Sequence, residues 1–476
     1  MSNSTVQELH SGIDSLVLFL NSQNKEGRGT LLHITRSMVV FEVYNPYSIV
    51  QLSEVLPNLK ILRGDRVIYK GRAVVSHILT TGLMTIVSAS LLDTWSDLSG
   101  LKPGGALKTE TTRFIQDWTR GHHLRSNYKL IIATLRNFLG ELSRWLDEAE
   151  VAVLDSNETN PDKKLREEFY QEVKEPIFPK FSELFGQFEH EASLVAPEEI
   201  MLHKSYTRRE LHPLTLCSPF VHRTYTKPLG YAGDYEMVNM MLGESTTSVT
   251  GTYARIVDEF HISAEAPEAH RNRIVMLQER IQNEAEHIIE EQQRMFTALN
   301  IGCGPAVEIQ RFIRDSTIAN QCSFLLMDFN NETLEYAESK ISEAIANSGK
   351  KPIIKFKNKS IDELLKEAAS YKKDLINSTY DLIYCAGLFD YFSDQVCKRL
   401  VAMYYSWLRP GGLLCVTNVH VCNPARFHME HLLEWHLVYR DEESMAKLAP
   451  KGVKYNIVAD NTGVNLFLDI RKNADG

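Results

Sequence analysis

Two kinds of apolar pattern divide the chain. Between residues 28 and 92 the apolar and β-branched residues fall in short runs, Thr30 to Ile34, Ser37 to Val43, Arg66 to Tyr69, Ala73 to Leu79 and Met84 to Ala89, with glycines between them. Runs of that length, bounded by turn residues, predict short strands that close into a small barrel or sandwich. Leu98 to Ala106 gathers Gly100, Pro103, Gly104 and Gly105 and reads as a linker. From Thr112 to about Glu150 the period becomes helical: Phe114, Trp118, Leu124, Tyr128, Ile131, Ile132, Leu135, Phe138, Leu142 and Trp145 predict one or two long amphipathic helices. Asn157 to Asp162 interrupts them, and helical spacing resumes at Leu165 with Phe169, Phe178, Phe181, Leu184, Phe185 and Phe188. An aromatic stripe at this spacing is read as core, with an acyl-binding pocket as the alternative. A further helix is expected from Asn272 to Met295, its acid-rich face turned to solvent.

The last third of the chain has a different organisation. Ala298-Leu299-Asn300-Ile301 is a short apolar strand that runs into Gly302-Cys303-Gly304-Pro305-Ala306 and then a helix. Glycines at 302 and 304 let the backbone turn sharply off the strand and approach a ligand closely. Phe324-Leu325-Leu326-Met327 is a buried strand ending in Asp328, where a doubly wound fold places the acid that grips a ribose hydroxyl pair. Tyr380 to Cys385 is another such strand, and Leu408 to Val416 gives a turn and one more. Val453 to Ala459, Asp460-Asn461-Thr462-Gly463 and Val464 to Ile470 read as a β-hairpin. The glycine pattern of dinucleotide binders is incomplete and no P-loop lysine follows, which argues against NAD.

This ordered set resembles the class I S-adenosylmethionine-dependent methyltransferases over roughly residues 295 to 470. In that family the first motif is an acid, an apolar residue and G-x-G-x-G; here Asn300 stands for the acid and Ala306 for the last glycine. The resemblance implies an α/β Rossmann-like core, with S-adenosyl-L-methionine as cofactor, held around Asn300, Gly302, Cys303 and Gly304. It further implies that Asp328 binds the ribose, that Phe329 packs on adenine, and that Ser360 and Ile361 border the adenine. Ala386 and Gly387, with Asp390 and Tyr391, would line the methyl and acceptor region. After the fifth strand, Asn418, His420 and Glu430 would face the same crevice, with His420 as base or hydrogen-bond donor. A carboxylate acceptor would need only donors to orient it, because it is already nucleophilic at neutral pH.

Upstream, Val221-His222-Arg223-Thr224-Tyr225-Thr226-Lys227-Pro228-Leu229-Gly230-Tyr231-Ala232-Gly233-Asp234-Tyr235 mixes aromatics, cations and glycines without a regular period, as binding loops do. Its cations, Arg223 and Lys227, could hold the carboxylate of cofactor or substrate. With the later Gly387-Leu388-Phe389-Asp390-Tyr391 and Asn418-Val419-His420 segments, this run is similar to bacterial proteins described as 3-hydroxypalmitic acid methyl ester synthases. That similarity implies a lid of Arg223, Tyr225, Lys227, Tyr231 and Asp234 over the cofactor, and O-methylation of a carboxyl group on a fatty-acid-like or other small molecule. The front strands resemble a PilZ-like domain, a kind that often binds cyclic di-GMP. The arginine arm and D/N-x-S-x-x-G turn of such binders are missing: Ile34-Thr35-Arg36-Ser37 occupies the turn region and only Arg28 precedes it. A scaffolding or dimerising role is therefore expected of that domain.

The resulting division is a PilZ-like β domain at 1–97, a linker at 98–110, a helical middle and cap at 111–290, and a methyltransferase core at 291–476. Two alternatives stand beside it. One is methylation of oxygen or nitrogen on another small metabolite. The other is a non-catalytic cyclic-dinucleotide or protein-binding module on a vestigial methyltransferase fold. At 476 residues the chain is long enough for two to four domains. A net charge of −9 argues against a general nucleic-acid surface. Seven cysteines without a C-x-x-C pair argue against a disulfide framework and against zinc, and Cys385 and Cys415 lie inside apolar strands as small core residues. No apolar run reaches bilayer length, and the first residues lack a leader pattern, so a cytoplasmic protein is expected. Its partner would be a small carboxylic acid, and a homodimer through the N-terminal or helical region is open to it.

Overall fold

A computed structural model describes residues 15–35, 37–44, 50–63, 66–81, 84–93, scattered positions from 107 to 119, and 124–154, 163–247, 249–370 and 379–473. Most of the linker at 98–110, the interruption at 157–162, Arg36, Phe114 and Trp118 lie outside the described residues. The chain divides into two compact units, residues 1–120 and 121–476.

In the first unit, β1 (Ser15–Leu20), β2 (Glu26–Ile34), β3 (Met38–Tyr44), β4 (Val55–Arg63), β5 (Arg66–Thr81) and β6 (Met84–Leu91) close into a barrel in the order β1-β2-β3-β6-β5-β4. This is the architecture that the PilZ-like resemblance implies. Val17, Phe19, Phe41, Ile61, Tyr69, Val75 and Val87 fill it. The apolar pattern located β2, β3, β5 and β6 but not β1 or β4. Ser15 to Leu20 is nearly all apolar, without alternation, and β4 carries Pro57, beside which its pairing with β5 slips register between Leu56 and Leu59. The two runs on either side of Gly71 form one strand, β5. Gly71 packs beneath the Tyr69 hydroxyl and Asp93, where a Cβ would collide at 2.8 Å, so this glycine serves packing and does not break the strand.

The second unit opens with helices α1 (Ser126–Leu154), α2 (Lys163–Ser193), α3 (Ile200–Thr215), α4 (Pro219–Thr226), α5 (Tyr235–Leu242), α6 (Thr252–Ile262) and α7 (Glu265–Gln292). The aromatic stripe of α2 is core: Phe169, Phe181, Leu184, Phe185 and Phe188 are buried with Tyr128, Leu135 and Leu139 of α1. Phe260 of α6 sits among Phe178, Phe181 and Phe185 at centroid separations of 5.8, 4.9 and 5.3 Å. The acidic face of α7 is only partly solvated, because Glu284 is buried against Arg471 in a two-pronged ion pair at 2.6 Å.

The core then alternates strand and helix: β7 (Phe296–Ile301), α8 (Val307–Asp315), β8 (Cys322–Asp328), α9 (Asn331–Ser348), β9 (Ile353–Asn358), α10 (Ile361–Ser370), β10 (Tyr380–Cys385), α11 (Asp394–Trp407) and β11 (Leu408–Val419). Short helices α12 (Arg426–His431) and α13 (Glu442–Ala446) precede β12 (Tyr455–Ala459) and β13 (Asn465–Arg471). The sheet order is β12-β13-β11-β10-β7-β8-β9. Strands β7 to β11 pair in parallel, and β13 runs antiparallel to both of its neighbours. Chain direction across the sheet reverses between β7 and β10, so the crevice for a ligand opens beyond their carboxyl ends. All seven cysteines are free, with Cys385 and Cys415 buried in the core. Among the described residues no helix is long and apolar enough to cross a membrane.

At the opposite end of the sheet, Asp381 ties three elements together. It accepts from both terminal nitrogens of Arg294 at 2.8 and 2.6 Å, from Thr297 N at 2.8 Å and from Arg409 at 2.9 Å. Burial pulls its carboxyl upward, but the Arg294 and Thr297 hydrogen bonds and the Arg409 charge outweigh that and hold it below the usual value. Asp381→Ala is expected to destabilise the second unit by about 3 kcal/mol, since two guanidinium groups lose their partner. Urea denaturation reads this directly, and a loss below about 0.5 kcal/mol, the size of an ordinary surface change, would show the cluster to be incidental.

Candidate active site

The crevice is organised by the turn that leaves β7. Gly302 N and Cys303 N both donate to the Met327 carbonyl, at 2.8 and 3.0 Å, which fixes the end of β7 against the end of β8. Gly304 N then donates to Asp328 Oδ2 at 3.2 Å, while Asp328 Oδ1 accepts from Asn330 N at 3.0 Å. Burial pushes the Asp328 carboxyl up. Both glycines have left-handed backbone, φ +69° and +53°. A Cβ built on Gly304 would meet nothing within 4 Å, and one on Gly302 only the Leu388 side chain, so the turn presents bare backbone to open space.

The departures from G-x-G-x-G have structural counterparts. Ala306 keeps the left-handed conformation a glycine would adopt, φ +52°, where it caps α8. Asn300 donates to Glu308 Oε1 at 2.9 Å, and the Tyr384 hydroxyl donates to the same oxygen at 2.8 Å. The first turn of α8 thus brings an acid against Asn300, the position where the motif has one. The Glu308 carboxyl is pushed up by burial. Glu308 carried no expectation from the sequence, although an acid in the first turn of the helix after a degenerate motif was the available signal.

Around this turn stand the other expected residues. Tyr231 meets Phe329 edge-on at 5.0 Å, and its hydroxyl lies 3.2 Å from that of Thr333. Ser360 begins α10 as one half of a capping box with Glu363, through Ser360 N to Glu363 Oε2 at 2.9 Å and Glu363 N to Ser360 Oγ at 3.3 Å. Ile361 packs into the core. Ala386 and Gly387 follow β10, and Gly387 N donates to Thr417 Oγ1 at 3.0 Å. A Cβ on Gly387 would lie 2.9 Å from the guanidinium of Arg273, which rests on it.

Arg273, from α7, is a second residue that carried no expectation from the sequence. It is half-buried, bonds His270 at 2.7 Å, and forms no ion pair with any carboxylate among the described residues. Burial lowers its guanidinium, with Asp390, Tyr391 and Glu308 as its principal electrostatic neighbours. The adjoining His270 is pushed well below the usual imidazole range by burial and by Arg273. Tyr391 closes this side of the crevice: its hydroxyl donates to Ala232 O at 3.3 Å and accepts from Trp435 Nε1 at 2.9 Å. Trp435 is the third residue without an assigned role in the sequence.

Several expected site residues are engaged elsewhere. Asp390 is buried and accepts from Val419 N at 2.6 Å. Asn418 donates to the carbonyls of Val419 and Val438 and accepts from Arg440 at 2.5 Å. Both brace the 389–392 turn against β11. Arg223 pairs with Asp234 at 2.8 Å, and Asp234 caps α5 through Met237 N. Tyr225 packs on His212 at 4.3 Å. Glu430 pairs with Arg426 at 3.0 Å and Lys204 at 3.7 Å. His420 contacts Cys422 and Glu442. Lys227 is 3% exposed, has φ +46°, and donates to Leu433 O at 3.0 Å.

A family model described as a methyltransferase domain matches residues 298–412, the span from β7 through the turn opening β11. This part of the chain is a methyltransferase domain of the S-adenosylmethionine-dependent class, and S-adenosylmethionine is its cofactor. The residues present suit that molecule: bare glycine backbone, an acid at the end of β8, and a guanidinium without a carboxylate partner among the described residues. No curated protein matches the chain. Among solved structures, a possible exported protein from Bordetella parapertussis is 16% identical, with 53% of this chain and 86% of that one covered and a TM-score of 0.40. The N-methyltransferase NodS from Bradyrhizobium japonicum is 14% identical, with 43% and 87% covered and a TM-score of 0.29. The magnesium protoporphyrin IX methyltransferase of Synechocystis is 9% identical, with 57% and 99% covered and a TM-score of 0.35.

Two outcomes follow from the site's backbone and charge. Ala306→Gly removes left-handed strain from an alanine and is expected to raise stability by about 1 kcal/mol, read as a shifted urea midpoint. Burial and the neighbouring Arg208 lower the Lys227 ammonium from 10.5 to about 7. Between those two values the folded chain binds fewer protons than the unfolded one, so Lys227 makes stability rise with pH across that window. Lys227→Met should flatten that rise, measured by denaturation at pH 7 and pH 9.

Proposed function

We propose that the chain transfers the methyl group of S-adenosylmethionine to a carboxylate oxygen of a small, fatty-acid-like acid. Asp328 takes the ribose hydroxyls, Tyr231 and Phe329 flank the adenine, and the turn before α10, at Ser360 and Ile361, borders it. The backbone of Gly302, Cys303 and Gly304 lies along the methionyl part. Glu308, held by Asn300, faces the cofactor's ammonium, and Arg273 on Gly387 its carboxylate. Bound there, the cofactor supplies an electrophilic methyl group on a positively charged sulfur.

The observation that carries the acceptor assignment is the Tyr391 hydroxyl, held in place by the Trp435 indole N–H at 2.9 Å and donating only a long bond, 3.3 Å, to Ala232 O. Turned from that carbonyl to an incoming carboxylate, it is a neutral donor that orients the acceptor without neutralising the lone pair that attacks. The nearby imidazoles are committed, His270 to Arg273, and His436 to Glu434 and Lys204. A carboxylate needs no base, so this reading gives His420 none of the proton transfer. Attack by an anion on a cation leaves two neutral products, a change that a water-poor crevice favours strongly. Phe220, Met237, Val238, Met240 and Met241 pack together with Trp435 and offer an adaptable apolar wall for the acyl tail.

Labelled cofactor offered to acids of graded chain length should give a product that mild alkali hydrolyses. An alkali-stable product would instead support oxygen or nitrogen methylation of another metabolite, and no product from any acid would overturn the proposal. Asp328→Ala should weaken cofactor binding at least about tenfold in calorimetry, the cost of a lost charged hydrogen-bond pair. Tight binding in that variant would remove the ribose assignment. Tyr391→Phe should lower kcat about tenfold while leaving cofactor affinity within about twofold.

A further inference from the structure

Just past β11 three reactive side chains meet. His420 Nδ1 lies 2.8 Å from Cys422 Sγ, and its other ring nitrogen lies 3.3 Å from Glu442 Oε2. The backbone holds the imidazole in place: His420 N donates to Val464 O at 2.7 Å, and His420 forms a bridge with Arg440. Cys422 is exposed, with its sulfur also 3.3 Å from the Gly463 carbonyl. The other exposed cysteine, Cys217, has its sulfur on the Leu214 carbonyl at 3.4 Å, and the remaining five are buried. A nucleophile touching an imidazole that is oriented in turn by a carboxylate is the arrangement that activates thiols and hydroxyls on unrelated folds.

We propose that Cys422 is a thiol–disulfide exchange site at which His420 takes the thiol proton and Glu442 orients the imidazole. The ligand class is a low-molecular-weight disulfide. Cys422 Sγ attacks one sulfur of that disulfide as its proton passes to His420. A new S–S bond forms to Cys422, the old one breaks, and the departing thiolate takes the proton back from the imidazolium. The product is a mixed disulfide on the protein and one free thiol, with no other oxidant required. Partial burial and the charges of Glu442 and Asp460 push the Cys422 thiol up, so it depends on the adjoining imidazole to become nucleophilic.

The test is reaction of the full-length native protein with 2,2′-dithiodipyridine at neutral pH, followed by absorbance and by peptide mass mapping. A fast phase that maps to Cys422 and a slower one that maps to Cys217 are expected. Cys422→Ser should remove the fast phase and Cys217→Ser the slow one. His420→Asn should slow the fast phase about tenfold, and Glu442→Gln several-fold. A thermal melt checks that His420→Asn is folded; if it is not, Glu442→Gln, altered at an exposed carboxylate, carries the comparison. Cys422 reacting no faster than Cys217, or at the parent rate in the folded variants, would overturn the assignment.

Discussion

One carbonyl oxygen holds the crevice in shape. The Met327 carbonyl receives the amides of both Gly302 and Cys303, so the ends of β7 and β8 are locked together beside the point, between β7 and β10, where the strand order reverses. The remainder of the turn follows from that lock. Gly304 is delivered to Asp328, Ala306 is forced into left-handed backbone to start α8, and Glu308 is carried inward to meet Asn300 and Tyr384. A two-residue motif therefore sets the positions of two buried acids, Asp328 and Glu308.

The cap is attached to this core through buried charge. Lys204 lies 3.3 Å from His436, His436 lies 2.8 Å from Glu434, and Glu434 pairs with Arg208. Lys204, Glu434 and His436 are almost entirely shielded from water, and Glu434 has φ +50°. Ion pairs this deep contribute little net stability compared with apolar packing, and left-handed backbone at a non-glycine adds cost. What they give is position: the segment they hold carries Trp435, whose indole bonds Tyr391. Specificity of placement and tolerance of strain occur together in the segment that holds Tyr391.

Legibility in the sequence followed the range of the interactions. Strands β7, β8, β10 and β11, the Gly302–Gly304 turn and Asp328 were readable because period and turn chemistry are local, and the C-terminal hairpin was readable for the same reason; β9, half-exposed and rich in lysine, was not singled out. In the barrel, β1 and β4 escaped because one lacks alternation and the other contains Pro57. Arg273, Glu308 and Trp435 could not be ranked from their neighbours along the chain; each gains its place from a partner far away in sequence or from a glycine beneath it. Asp390, Asn418 and Arg223 show the converse. Their chemistry suggested ligands, while their hydrogen bonds serve turns and helix caps, which composition alone cannot distinguish.

The closed barrel of the first unit restricts how it can be recognised. With β1 paired to both β2 and β4, the ring has no free edge, so an incoming peptide cannot extend it by strand addition. Recognition has to read outward-facing side chains, such as Arg28, Leu32, Lys70 and Leu79, which stand exposed on the strands. Changes at those positions leave every ladder hydrogen bond of the ring in place.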